Sequence, residues 1–135
     1  MRRVLVALSL LLLAAGCAGE KAVIPTDINV GGIYSLRTVN GSPLPFVYYE
    51  DALEKYEIVD DTITLSDIGT WSKVSHERGT VKGVATVLTY RDGGFFTRQA
   101  TAILLSNDKG RSTPGTLVGN DLIFAGARAS AVYTR

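Results

Sequence analysis

From residue 31 to Arg135 the chain is broken at short intervals by clusters of Gly, Asn and Asp, and the runs between them are rich in Val, Ile, Thr, Tyr and Phe. Gly, Asn and Asp accept the positive φ that tight hairpins demand. β-Branched and aromatic side chains suit a pleated, half-buried surface. The pattern predicts strands over 33–39, 56–66 with a break at Asp60-Asp61, 70–76, 80–90, 95–105, 115–118, 122–125 and 129–134. Turns are signalled at Asn40-Gly41, Asp67-Ile68-Gly69, Arg91-Asp92-Gly93-Gly94, Asn107-Asp108-Lys109-Gly110 and Gly119-Asn120-Asp121. No stretch sustains helical spacing, although Tyr48, Ala52 and Tyr56 fall four apart and allow one helical turn between Pro45 and Lys55. In Thr62-Ile63-Thr64-Leu65-Ser66 two apolar residues face one way and three hydroxyls the other, as in a half-buried antiparallel sheet. The expected fold is all-β: an antiparallel up-and-down meander of about eight strands. Closing it into a small barrel removes edges that would otherwise invite aggregation.

The N-terminus reads differently. Met1-Arg2-Arg3 is followed by an apolar run over 4–13 and then Ala14-Ala15-Gly16-Cys17, the basic start, apolar middle and small-residue exit of an export signal. The run is about half of the roughly 20 residues a spanning helix needs. The segment resembles the lipobox of bacterial lipoproteins, in which small residues precede a cysteine that is lipidated and becomes the new N-terminus; Ala14 stands where that motif usually has Leu. The resemblance implies lipidation of Cys17, the only cysteine of the chain, which leaves no partner for an internal disulfide. Several acyl chains on one residue make a lasting tether. Ala18 rather than Asp after the cysteine implies, by the same resemblance, the outer membrane in a diderm cell. The predicted organisation is a signal peptide over 1–16, a lipidated Cys17 with a flexible tether over 17–30, and one domain over 31–135.

Of the 135 residues, 14 are Lys or Arg and 13 Asp or Glu, and losing Arg2 and Arg3 with the leader brings the balance close to neutrality. A near-neutral domain is a poor general nucleic-acid binder. The charges are nonetheless segregated: Glu50, Asp51, Glu54, Glu57, Asp60, Asp61 and Asp67 fall in one stretch with Lys55 as its only base, and the bases gather after Lys73.

The opening Gly32-Ile33-Tyr34-Ser35-Leu36 and the loop Asn40-Gly41-Ser42-Pro43-Leu44-Pro45, with Ile63 to Trp71 and Gly115 to Phe124 later, resemble lipocalin-like lipoproteins. That resemblance implies a small lipocalin-like barrel. Two departures are plain: Tyr34 occupies the Trp place of the lipocalin opening, and the domain is short for that group.

No constellation carries obvious chemistry. His76 is the one histidine, read as a solvated residue at a strand end near a turn at Gly79, and metal sites assemble several ligands. Gly110-Arg111-Ser112-Thr113-Pro114 misses the nucleophile-elbow pattern at its last place, and no phosphate-cradling loop precedes a helix. The acidic stretch lacks the spacing of a calcium loop and reads as a solvated face. The expectation is a protein without catalysis, metal or cofactor.

The aromatic residues are the best functional candidates. Tyr34, Phe46, Tyr48, Tyr49, Trp71 and Tyr90 are the predicted ligand contacts, with the loop 40–49 at one barrel end, and small barrels hold one small ligand. The expected function is that of a membrane-anchored lipoprotein binding an apolar small molecule or lipid. The competing reading is a filled barrel that holds another envelope protein.

Overall fold

The computed structural model describes residues 29–135, so the signal over 1–16, Cys17 and nearly all of the predicted tether lie outside the described residues. Ten strands follow in order: β1 (Gly32–Val39), β2 (Ser42–Pro43), β3 (Phe46–Glu50), β4 (Glu54–Leu65), β5 (Thr70–Val81), β6 (Val84–Gln99), β7 (Ala102–Asn107), β8 (Ser112–Val118), β9 (Asp121–Ala125) and β10 (Ser130–Thr134). Each of β4 to β10 pairs antiparallel with the next, and β1 pairs with both β10 and β4. Eight strands therefore close a barrel, and β2 and β3 are additions to it. No helix forms among the described residues; the segment expected to allow a helical turn is β3 and the hairpin leading into β4.

Four of the turn signals act as expected. Asn40 and Gly41 take φ of 52° and 77°, and Gly69, Gly110 and Gly119 are also positive. The fifth is a correction. Arg91 to Gly94 lies inside β6, and the hairpin between β5 and β6 is Lys82-Gly83, with φ of 49° and 81°. Two consecutive positive φ values suit a two-residue connection between right-twisted strands. Nor does the chain turn at Gly79: a Cβ there would meet the Tyr56 ring at 3.0 Å, so glycine gives the aromatic room in mid-strand. The expected break at Asp60-Asp61 is likewise a bulge within the continuous β4, where the register against β5 shifts between Ile58 and Asp60.

The core gathers Tyr34, Leu36, Ile63, Leu65, Trp71, Ile103, Leu105, Leu117, Leu122 and Tyr133 inside the barrel. All of these lie on strands of the closed sheet. Tyr34 is 2% exposed, and its hydroxyl donates to the Val30 carbonyl at 2.9 Å, which ties the entry of the chain to the barrel. Tyr34→Phe is expected to lose about 1 kcal/mol, the usual net worth of such a bond, measured by urea denaturation.

Candidate functional site

The barrel is not closed along its whole height. The β1–β4 ladder runs from Gly32↔Leu65 to Ser35↔Thr62 and stops there, while Thr38 and Val39 take β2 as their neighbour. At the same end the two halves of the sheet part. The first half of β4 pairs with β3, and the second half of β5 pairs with the first half of β6, so β3, β4, β5 and β6 project as a four-stranded wing.

A cavity of about 430 Å³ opens where β1 and β4 diverge. Leu36, Val39, Ile58, Ile63, Trp71, Leu105, Phe124 and Ala131 give it an apolar wall, and the β9–β10 turn borders it through Gly126 and Ala129. That turn is fixed to the β1–β2 turn, because Asn40 donates its N–H to the Ser130 carbonyl and accepts the Ser130 N–H on Oδ1, both at 2.8 Å. Into this apolar lining project Asp61, Lys73, Asp92 and Tyr133. Lys73 Nζ meets Asp61 Oδ2 at 2.8 Å. The Asp61 side chain is 3% exposed; its Oδ1 makes no direct hydrogen bond, with the Ser75 and Tyr133 hydroxyls beside the carboxyl.

Burial is the main influence on the Asp61 carboxyl and raises its pKa above the ordinary carboxylate value, against the pull of Lys73. Burial, with Asp61 beside it, likewise pushes the Tyr133 hydroxyl far above the usual tyrosine range. The cavity therefore presents a phenol whose proton is held by burial, the Asp61–Lys73 contact at 2.8 Å, and a second acid at Asp92, whose carboxyl is pulled below its ordinary pKa chiefly by the hydrogen bond from Asn107. The strand geometry explains how adjacent acids separate. With the bulge behind them, Asp61 points inward opposite Ser75, while Asp60 points outward opposite His76. His76 Nδ1 lies 2.6 Å from Asp60 Oδ1 in mid-strand, a correction to the expected strand-end position.

The six predicted aromatic contacts divide three ways. Trp71 lines the cavity and donates its indole N–H to the Ser106 carbonyl at 3.1 Å. Tyr34 is buried toward the other end, and Phe46 packs partly buried against the core. Tyr48, Tyr49 and Tyr90 stand on the wing, about half exposed. There Tyr48 and Tyr49 meet Tyr56 at ring-centroid distances of 6.3 and 5.9 Å, and Tyr48 donates to Glu77 at 2.6 Å. That bond to a carboxylate pushes the Tyr48 pKa up to about 12. The loop 40–49 thus runs beside the cavity mouth and none of its residues lines the cavity. The polar cavity residues were not singled out from the sequence as ligand contacts. Their one signal was the placement of Asp61 and Lys73, each two residues from the inward Ile63 and Trp71 respectively, the period of a strand face.

Among the described residues no group of three or more His, Cys, Asp or Glu side chains is placed to hold a metal ion, and no helix is long and apolar enough to cross a membrane. The described residues define a small closed antiparallel barrel with a largely apolar cavity that holds charged groups, and an open wing. No family model and no curated protein matches the chain. Among solved structures, the crystal structure of the Cpx pathway activator NlpE from Escherichia coli is similar at 19% identity with a TM-score of 0.41, covering 70% of this chain and 43% of that one. The chain therefore spans less than half the length of that protein.

Proposed function

We propose that the barrel is a binding module without catalysis, taking one small, largely apolar molecule or lipid into the cavity at its β1–β4 mouth. The observation that supports this reading most is the cavity itself: about 430 Å³ with a mostly apolar wall, a volume in the usual range for small-ligand sites. The lipobox resemblance places this module on the cell envelope through Cys17, with the outer membrane as its site in a diderm cell. An ion pair set in an apolar wall orients a ligand that has one polar end, because an apolar end gains nothing beside Asp61 and Lys73.

Native mass spectrometry of the chain from Ala18 onward, purified gently, is expected to show a co-purifying molecule. Ala131→Phe places a ring in the mouth and is expected to abolish that adduct with little change in thermal unfolding. A clean apo mass from the unsubstituted protein would overturn the binding reading. It would favour the second one, an envelope protein holding another protein, for which the exposed tyrosines of the wing are the specific support.

A further inference from the structure

The two faces of the wing balance their charges differently. Opposed residues of an antiparallel pair share a face, and β5 carries the inner face of the barrel outward, so that Trp71, Lys73 and Ser75 are followed on it by Glu77 and Gly79. Register adds Glu54 and Tyr56 from β4 and Leu88 and Tyr90 from β6. On the outer face Glu57 meets Arg78 at 2.9 Å and Lys55 at 3.1 Å, and Asp60 meets His76 at 2.6 Å. On the inner face the two acids of the wing have no such neighbour. Among the described residues no Lys, Arg or His forms an ion pair with Glu54 or Glu77, and Lys73, the base of that face, is held by Asp61. Their hydrogen bonds come from phenols instead: Tyr48 donates to Glu77 at 2.6 Å and Tyr56 to Glu54 at 3.3 Å. The Tyr48 and Tyr56 rings stand 6.3 Å apart, and Tyr56 lies across β5 over Gly79, where a Cβ would meet the ring at 3.0 Å. Tyr48, Tyr90 and Leu88 are each about half exposed, so the face is open to a ligand.

We propose that the inner face of the wing binds an aliphatic polyamine, its ammonium groups at Glu77 and Glu54 and its methylene stem across the rings of Tyr48 and Tyr56. This site is separate from the cavity and does not rest on the cavity being occupied. Charge complementarity selects a cation, because a half-buried acid without a counter-charge gains most from one. The rings select an organic cation: a tyrosine face attracts an ammonium, and it covers an apolar stem equally well. The spacing selects more than one ammonium. Glu77 stands level with Ile58, four residues from Glu54 along a stretch of β4 without a bulge against β5, so the two positions lie about 13 Å apart at the rise of an extended strand. A monoamine serves one acid and leaves the other bare. A divalent metal ion cannot bridge them, since its oxygen ligands must lie within about 2–2.6 Å of it.

The experiment uses the chain from Ala18, with spermidine as the probe. Isothermal titration calorimetry at low salt is expected to show one spermidine bound per chain, with butylamine, which has a single ammonium, about tenfold weaker or more for want of one charged contact. Mg²⁺ is expected to give no binding. Glu77→Gln and Glu54→Gln each keep an acceptor for the tyrosine hydroxyl, and each is expected to weaken spermidine about tenfold with unchanged thermal unfolding. Asp60→Asn removes the same charge from the outer face and is expected to leave the affinity as it was. Ala131→Phe, which blocks the cavity, is expected to leave spermidine bound, so the two sites succeed or fail separately. No binding of spermidine up to about 1 mM overturns the proposal, as it must if a protein covers this face instead. Equal binding of butylamine or Mg²⁺, or an equal loss in Asp60→Asn, also overturns it, because each reports unspecific attraction to an acidic surface. Loss of spermidine in Ala131→Phe would place the amine in the cavity and overturn it too.

Discussion

Alanine at Gly94 is expected to destabilise the domain by about 3 kcal/mol or more, the upper end for overpacking, and to leave a large fraction unfolded given total stabilities of about 5–15 kcal/mol. At this point β6 leaves the wing, where it has one neighbour, and enters the barrel, where it has two. The strands crowd there. A Cβ at Gly94 would fall inside the van der Waals shell of the Ser106 carbonyl oxygen and 2.9 Å from Asn107 Cα, both backbone atoms that cannot swing aside. Relief requires β6 and β7 to part, which breaks ladder hydrogen bonds next to the buried Trp71. Gly110→Ala is the control: nothing lies within 4 Å of its Cβ position, so only the positive φ of 73° opposes it, and its expected cost is about 1 kcal/mol. Urea denaturation followed by fluorescence of Trp71, the single tryptophan, measures both. Equal losses at the two sites would show that Gly94 is needed for its backbone freedom and not for room.

The same glycine shows why the turns were legible and one was misread. Arg91-Asp92-Gly93-Gly94 has the composition of a hairpin, but two glycines in a row arise for two physical reasons, positive φ and close approach of neighbouring backbone. Neither Gly93 nor Gly94 has positive φ, and both sit where a Cβ would touch backbone. Composition alone does not separate the cases. Lys82-Gly83 went unmarked because one glycine after a lysine is a weak signal, and Thr80 to Tyr90 then read as one strand. The all-β class and the closure were legible because alternation in segments such as Thr62 to Ser66 survives whatever turns join them. The cavity was less so. Asp60 and Asp61 look like one solvated patch in composition, but successive residues of a strand face opposite ways, so Asp61 turns inward in phase with Ile63 and Leu65 while Asp60 stays outside. Of the predicted tyrosines, Tyr48, Tyr49 and Tyr90 share the wing and Tyr34 does not; Tyr56, whose ring meets Tyr48 and Tyr49 there, comes from β4 across the hairpin, a pairing that sequence spacing alone does not show.

Lys73→Met is expected to cost about 3 kcal/mol at pH 7, the lower end for breaking a buried ion pair, because Lys73 is 35% exposed while its partner is not. The loss comes from the partner. Without the ammonium, the buried Asp61 carboxyl is left with only the neutral Ser75 and Tyr133 hydroxyls beside it. The pH dependence has a definite sign. Burial raises the folded pKa of Asp61 above its unfolded value of 3.8 even in the native protein, and removing Lys73 raises it further. Between the unfolded and folded values the folded state holds the extra proton, so stability rises as pH falls through the folded value and the gain is complete below 3.8. The Lys73→Met defect should therefore shrink on acidification, whereas the defect of Tyr34→Phe, which alters no titrating carboxyl, should not. Asp61→Asn combined with Lys73→Met should recover most of the loss at pH 7, since no charge is then left buried. If the double variant is as unstable as Lys73→Met alone, the lysine stem is packing the wall and its charge is incidental. If it is stable yet no longer retains the small molecule found by native mass spectrometry, then the ion pair is maintained at a cost to the fold because it holds the polar end of the ligand.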